Sequence, residues 1–284
     1  MMNHQGEQRP MKANYHTHTA RCHHAHGEDE AYVLDALRGG FDVLGFADHA
    51  PWPYGGGYVS GVRMSCDELP EYVASLKALR ARYGDQLRLY IGLESEYYPR
   101  YHDHLLRLRD QGIEYFILGQ HCADSDEDTP GAGLMCRTDD GVLRYAESVV
   151  RAIRTGLYRY IAHPELFMRP RYDDQFNAAC EEATDMICQA AKEQGMPLEY
   201  HLLGLSLREE DAAAVAAGRR DGVRGYPCPP FWQYARKWNN DAILGVDAHD
   251  PEALADEGLW HRGRQQLEDW GYTIIDHLNM EGSI

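Results

Sequence analysis

The sequence lacks paired cysteines, which argues against a disulfide framework and against a four-thiolate zinc site. Its seven cysteines are an odd number, and no two of them form a CxxC pair, whereas both kinds of site need regularly spaced thiols. It also has no run of apolar residues close in length to the about 18 that a helix needs to cross a membrane. The first eleven residues are polar and lack the apolar centre of a signal peptide. We therefore expect reduced thiols, a cytoplasmic protein and no membrane partner.

The sequence has too few basic residues for a general nucleic-acid binder. Lys and Arg number 28 against 45 Asp and Glu, and the formal net charge is −17, so most of the surface would repel a polyanion. We expect no nucleic-acid partner, while the oligomeric state stays open. Because no Ser/Gly-rich linker divides the chain, residues 12–284 are predicted to form a single domain, and residues 1–11 a mobile extension.

Seven apolar segments recur along the chain, and each ends in a polar residue. Near-continuous apolar runs are typical of parallel strands that are buried on both faces, and segments with helical periodicity lie between them. The predicted strands are 14–18, 43–49, 89–94, 115–121, 158–163, 197–201 and 242–249. Alternating strands and helices favour a closed α/β barrel, with an open doubly wound sheet as the alternative. Residues 203–230 are interpreted as a long loop that could close over a site.

Histidine is abundant, and it collects at the predicted strand ends. There are 15 histidines but only 6 phenylalanines, and the carboxyl ends of parallel strands are where active sites of such folds lie. His16 and His18 are two residues apart, so both imidazoles face the same side of a strand. The other candidate ligands are one of the histidines 23, 24 and 26, then Asp48, His49, Glu94, His121, His163, Asp247 and His249.

These donors predict a metal centre with more than one ion. Imidazole nitrogen mixed with carboxylate oxygen suits zinc, manganese or iron, and the donors exceed what one ion needs. We therefore expect two or three divalent ions, with Glu94 able to bridge two of them. Clustered cations would lower the pKa of an intervening water and produce a hydroxide, so hydrolysis is the natural use.

The motifs, taken in order, resemble the polymerase and histidinol phosphatase (PHP) superfamily, and within it the monofunctional histidinol-phosphatase group. The resemblance covers nearly the whole chain. It is carried by His16-Thr17-His18, His24 in Cys22-His23-His24-Ala25, Asp48-His49, Gly92-Leu93-Glu94, Gly119-Gln120-His121, Ala162-His163 and Val246-Asp247-Ala248-His249.

The resemblance implies a distorted (β/α)7 barrel with nine ligands and three ions at the carboxyl ends of the strands. By analogy, His16, His18, Glu94 and Asp247 hold the first ion, Glu94, His121 and His163 the second, and His24, His49 and His249 the third. Manganese, iron and zinc all suit such ligands.

The implied activity is a metal-dependent phosphomonoesterase that hydrolyses L-histidinol phosphate to L-histidinol and phosphate. A hydroxide that bridges the metals would attack phosphorus, and no side chain is assigned as a further catalytic residue. Asp48 could orient or protonate the leaving alcohol, or equally hold an imidazole in place. The main alternative is a phosphatase for another small phosphoester, namely a nucleotide, a sugar phosphate or phosphotyrosine. The acidic charge disfavours a proofreading exonuclease, and the complete ligand set disfavours a metal-binding regulator without turnover.

Substrate contacts are predicted at Arg63, Arg169 and His201. Both arginines follow motifs that place them near strand carboxyl ends, where an anionic ester would bind. His201 ends the sixth predicted strand, where members of the group more often carry asparagine, and it could contact substrate or have a structural role. Cys22 and Cys122 flank proposed ligands and are assigned no function.

Overall fold

In the part of the chain that the structure describes, six short parallel strands form the interior of the protein. The computed structural model describes residues 10–122, 124–127 and 131–280. The strands are β1 (Ala13–Asn14), β2 (Val43–His49), β3 (Arg88–Ser95), β4 (Tyr115–Leu118), β5 (Leu198–His201) and β6 (Ala242–Gly245). Every residue of β2, β4, β5 and β6 is buried, which explains their nearly unbroken apolar sequences.

The strands form a curled parallel sheet. One group has the order β1-β2-β3-β4, and β5 pairs with β6 in a second group. Isolated parallel bridges connect the groups, because Ile161 pairs with both Leu118 and Leu198, and Thr17 pairs with Ala248. The α/β fold with strand carboxyl ends at one rim is therefore confirmed.

The predicted strand 158–163 is not a regular strand in the described residues, because it contains isolated bridges at Ile161 and its backbone turns at His163, whose φ is 34°. Backbone hydrogen bonds still join it to β4, since the NH groups of Arg159 and Ala162 donate to the oxygens of Phe116 and Leu118. The first strand is also shorter than predicted. There the Asn14 side chain donates to the backbone oxygen of His16 and accepts from the backbone NH of Val246, so a side chain replaces part of the strand pairing.

Helices cover the outside of the sheet. They are α1 (Asp29–Arg38), α2 (Leu69–Tyr83), α3 (His102–Asp110), α4 (Ala132–Met135), α5 (Asp139–Ile153), α6 (Ala178–Gln194), α7 (Leu202–Ala216), α8 (Pro229–Ala235) and α9 (Glu257–Asp269). Within the described ranges, no helix is long and apolar enough to cross a membrane.

The interpretation of residues 203–230 as a long loop was wrong, since α7 and the start of α8 occupy much of this segment. The α7 helix begins directly after β5, and the His201 ring accepts a hydrogen bond from the Gly204 backbone NH, which caps its first turn. Its second half is rich in alanine, the residue with the highest helix propensity.

Two hydrophobic clusters hold the sheet in place. The larger lies between strands and helices, and the smaller includes Tyr15, Tyr115 and Ile243. A side chain at Gly45 or Gly92 would collide with the Tyr115 ring, so glycine is required at both positions. Of the predicted extension, residues 1–9 lie outside the described residues, and Met11 is partly buried against the smaller cluster.

Candidate metal centre

All nine residues predicted as metal ligands lie at the carboxyl rim of the sheet, and Glu94 is at their centre. Its Oε1 lies 2.7 Å from Nε2 of His163 and 3.3 Å from Nε2 of His121. Its Oε2 lies 3.0 Å from Nδ1 of His49, and 3.5 and 3.6 Å from Nε2 of His18 and His16. The two oxygens therefore face separate groups of imidazoles, as a bridging carboxylate would require.

Asp247 lies close to His16 and His18, which also face Oε2 of Glu94. Its Oδ1 lies 2.9 Å from Nε2 of His18 and 3.2 Å from Nε2 of His16, and 3.4 Å from Nδ1 of His249. The backbone φ of Asp247 is 53°, which is costly for a residue with a side chain and is typical of functional positions.

The third group of donors lies nearer to solvent. His24, His49 and His249 bring ring nitrogens within 4.8 Å of one another; the ring centroids of His24 and His249 are 4.6 Å apart, and those of His24 and His49 are 5.4 Å apart. Cys22, which the sequence analysis left without a function, offers a buried sulfur within the same distance of donor atoms of His18 and His249.

Unsatisfied buried atoms show that this arrangement suits cations. Within the described part of the chain, six buried atoms make no hydrogen bond, although some lie within 3.5 Å of a carboxylate oxygen or an imidazole nitrogen: Nε2 of His16, both ring nitrogens of His18, Nδ1 of His49, Nε2 of His249 and Oδ1 of Asp247. Buried polar groups without partners are costly, and divalent ions would supply the missing interactions. The residues therefore fit a metal centre by their chemistry and by their positions.

The charges in the centre are strongly coupled. Burial alone would raise the pKa of the Glu94 carboxyl, but the imidazoles of His121, His49 and His16 lower it well below its usual range. Burial would lower the pKa of His16, but Glu199, Asp247 and Glu94 raise it to about 10. For His49, burial outweighs the attraction of Glu94 and lowers the pKa to about 3. Ionised carboxylates thus face the histidines, as metal binding needs.

A second layer of carboxylates orients the imidazoles. Glu199 lies 2.8 Å from Nδ1 of His16 through Oε1 and accepts from the His163 backbone NH at 3.0 Å through Oε2. Glu96 lies 3.1 Å from Nδ1 of His121. Neither glutamate was predicted from the sequence, although each lies two residues from a residue that was singled out, namely Glu94 and His201. Such outer contacts fix ring orientation around metals.

Asp48 belongs to this outer layer. Its carboxylate accepts from the backbone NH groups of Thr19 and His49, at 3.2 and 2.8 Å, and from the Thr19 hydroxyl. It is fully buried and lies 3.5 Å from Nδ1 of His18. These contacts favour the interpretation that Asp48 holds its neighbours in place.

A cavity of about 520 Å³ opens onto the centre. Its lining includes the apolar side chains of Val62, Leu166 and Leu207, together with the predicted metal ligands, and Arg63, Arg169 and His201 also line it. The three predicted substrate contacts are therefore adjacent to the ligands, but their environments differ.

Arg63 is buried in a network of ion pairs. It donates to both oxygens of Glu96, at 2.8 and 3.1 Å, and to Asp126 at 3.1 Å. The exposed Arg169 side chain has no hydrogen bond or ion pair within the described part of the chain, which leaves its guanidinium available to an anion. His201 lies 2.6 Å from Oδ2 of Asp247 through Nε2. Direct substrate contact by these residues stays a prediction.

Comparison with known proteins identifies relatives for most of this chain. The PHP domain family matches residues 14–201. A probable histidinol-phosphatase from Deinococcus radiodurans is 28% identical over 243 residues, which cover 83% of this chain and 85% of that protein. A histidinol-phosphatase from Bacillus subtilis is 25% identical over 219 residues, covering 69% of this chain and 82% of that protein.

Solved structures share the fold. A histidinol phosphate phosphatase from Lactococcus lactis, complexed with zinc, L-histidinol and phosphate, has a TM-score of 0.69 at 18% identity, covering 94% of this chain and 98% of that chain. A putative histidinol phosphatase from Listeria monocytogenes has a TM-score of 0.62 at 19% identity, covering 86% and 98%. The family match spans more than half of the sequence and includes the predicted ligands from His16 to His163. The chain therefore belongs to the PHP domain family.

Proposed function

We propose that this protein is a metal-dependent phosphatase that hydrolyses L-histidinol phosphate to L-histidinol and phosphate. The observation that carries the proposal is the position of Glu94, whose two oxygens face separate groups of imidazoles. This arrangement suits a centre of more than one divalent ion. The names of the relatives from Deinococcus radiodurans and Bacillus subtilis support the choice of substrate, as does the ligand set of the Lactococcus lactis structure.

The donor groups would be shared among three ions as the family resemblance implies. The fold would then be a (β/α)7 barrel in which the segment around Ile161 counts as the fifth strand. His16, His18, Glu94 and Asp247 would hold one ion, Glu94, His121 and His163 a second, and His24, His49 and His249 a third. Manganese, zinc and iron are all compatible with these nitrogen and oxygen ligands. When bound, such ions supply Lewis-acid activation of a water nucleophile and of the phosphoryl oxygens.

The protein's own side chains position the substrate. Arg169 lines the cavity and has no ion-pair partner among the described residues, so its guanidinium would bind a phosphate oxygen. The apolar wall around Leu166 and Leu207 would exclude water from the organic half of the ester. Glu199 and Glu96 would keep the imidazoles of His16 and His121 in place.

The proposal is tested by metal analysis together with a substrate panel. Protein purified without chelator is expected to contain more than one ion of manganese, zinc or iron per chain, and to lose phosphatase activity on chelation. L-Histidinol phosphate should be turned over faster than a nucleotide, a sugar phosphate and phosphotyrosine, and Asp247→Ala should lose most activity while staying folded. Negligible turnover of L-histidinol phosphate beside rapid hydrolysis of another ester would reject the substrate, and a single ion per chain would reject the multinuclear centre.

A further inference from the structure

Hydrolysis of an alkyl phosphate, the reaction proposed above and the premise of this inference, releases an alkoxide that needs a proton. An alkoxide is a much stronger base than water at neutral pH, so a proton donor beside the leaving oxygen is worth about 10²- to 10⁴-fold in rate. Such a donor must line the cavity and must have a hydrogen that is not already held by another group.

Most polar side chains around the cavity fail one of these conditions. The His201 ring accepts at Nδ1 from the Gly204 backbone NH at 3.0 Å, so its hydrogen is on Nε2, which faces Asp247 at 2.6 Å. Asp48 does not line the cavity, and its carboxylate accepts from neighbouring groups.

Apart from the predicted metal ligands, and from Asp126, whose carboxylate accepts from Arg63, the remaining candidates are arginines and a thiol. Arg63 is paired with Glu96 and Asp126, and Arg224 with Asp211 at 2.6 Å. Arg169 has no side-chain partner among the residues that the structure describes, but arginine does not give up a proton in proteins. Cys122 also lines the cavity, but a thiol is a weak hydrogen-bond donor.

Tyr226 meets both conditions. It lines the same cavity as Asp247 and Arg169, and only 7% of it is exposed. Its ring lies 4.8 Å from the His201 ring and 6.2 Å from the His163 ring, measured between centroids. Across the residues that the structure describes, its hydroxyl has no hydrogen-bond partner, and it is not among the side-chain oxygens sealed off from solvent.

The surroundings of Tyr226 hold the ring in one position. The ring packs against the first turn of α7, where a side chain on Gly204 would lie 3.3 Å from Cε1 of Tyr226. The adjoining segment is anchored by Gly225, whose backbone NH donates to the Arg171 oxygen at 2.8 Å. Because Tyr226 lines the cavity and its hydroxyl is not sealed off from solvent, the hydroxyl is expected to reach the cavity.

We propose that the Tyr226 hydroxyl donates the proton to the leaving oxygen of the phosphate ester. As the bond between phosphorus and the leaving oxygen breaks, the electron pair stays on that oxygen, which takes the phenolic proton and leaves as the alcohol. The phenolate that remains beside Arg169 takes back a proton from water in the open cavity. A tyrosine is protonated at neutral pH and therefore starts each turnover with its proton in place.

The test compares two substrates with different leaving groups in Tyr226→Phe. L-Histidinol phosphate releases a strongly basic alkoxide, whereas p-nitrophenyl phosphate releases a weakly basic phenolate that leaves without a proton. We expect kcat for L-histidinol phosphate to fall about 100-fold or more, while kcat for p-nitrophenyl phosphate changes less than about threefold. Metal content and thermal unfolding should match the wild type, because the hydroxyl has no partner within the described structure. Tyr83→Phe, on the outer helix α2, is the matched control.

Three results would overturn the proposal. Equal losses with both substrates would mean that Tyr226 positions the phosphate and donates no proton. Unchanged kcat with both would remove Tyr226 from the reaction. His201 would be the proton donor if kcat fell for the alkyl ester alone in His201→Gln and did not fall in Tyr226→Phe. If the wild type prefers a different alkyl phosphate, the assignment of L-histidinol phosphate as substrate is rejected. The role of Tyr226 is then tested by comparing that ester with p-nitrophenyl phosphate.

Discussion

Nε2 of His201 lies 2.6 Å from Oδ2 of Asp247, and this contact leaves Oδ1 of Asp247 facing Nε2 of His16 and His18. His201 thus fixes the orientation of a proposed ligand, and this geometry gives it a positioning role whether or not it also touches the substrate.

His201→Ala is expected to lower the affinity of the centre for metal by about 10- to 100-fold, because outer partners of metal ligands have effects of that size. Titration of the metal-free protein with zinc or manganese measures the change. His261→Ala, an exposed histidine on α9, is the control. Wild-type metal affinity in His201→Ala would contradict the positioning role.

Glu94→Gln is expected to remove more than one ion per chain. The substitution replaces one of the two facing oxygens by an amide nitrogen, which donates hydrogen bonds and does not bind cations. His24→Ala, in the exposed group of ligands, should by contrast lose one ion and retain the others. Elemental analysis of both purified variants distinguishes the two outcomes. If Glu94→Gln keeps the full metal content, the carboxylate does not bridge.

Arg63→Ala should destabilise the protein more than it weakens substrate binding. Removal of the guanidinium leaves the Glu96 carboxylate buried, with only Trp52 and His121 as side-chain partners among the described residues, and breaking a buried pair in this way costs about 3–5 kcal/mol. Urea denaturation measures the loss. Arg82→Ala removes an exposed ion pair with Glu30 and should cost less than about 1 kcal/mol. Unchanged stability with a raised KM would instead assign Arg63 to the substrate.

Arg169→Ala is expected to raise KM for the phosphate ester by about 10- to 100-fold, because a hydrogen bond to a charged group contributes about 1.5–3 kcal/mol. Its side chain has no partner in the described ranges, so the unfolding midpoint should not change. Steady-state kinetics measures the effect, and Arg219→Ala, another exposed arginine, is the control. A KM equal to that of the wild type would exclude phosphate binding by Arg169.

Asp211 predicts a pH-dependent contribution to stability. Its buried carboxylate pairs with Arg224 and Arg220, and the hydrogen bonds from Arg224 lower its pKa despite burial. A lowered folded-state pKa means that the stabilisation is present above the unfolded pKa of about 3.9 and is lost as the pH falls through the folded value.

Asp211→Asn should therefore cost about 2 kcal/mol at pH 7, and the difference from the wild type should shrink in acid. Urea denaturation of both proteins at neutral pH and below pH about 4 measures it. A difference that is independent of pH would show that packing, and not the charge, accounts for the contribution.

The sequence placed the predicted ligands at one rim of the sheet because strand ends can be read locally. His49, Glu94 and His201 lie where buried apolar runs stop, and the carboxyl ends of parallel strands meet at one edge of a sheet. The short pairing around Ile161 was not predictable, since it depends on the turn at His163. The α7 helix was missed for a similar reason, because the segment after a strand end was interpreted as a loop.

The amino-acid sequence by itself determined the chemistry of the centre, since imidazoles and carboxylates in this order suit divalent cations whatever their exact spacing. Tertiary structure decided which polar residues remain available to a substrate. Arg63 and Arg169 cannot be distinguished in the sequence, but of the two only Arg63 is enclosed by carboxylates, those of Glu96 and Asp126. Tyr226 is one of 19 tyrosines. Only folding places it at the cavity, with a hydroxyl that has no partner among the described residues. Charge pairing and burial depend on contacts between distant segments, and for that reason no local pattern specifies them.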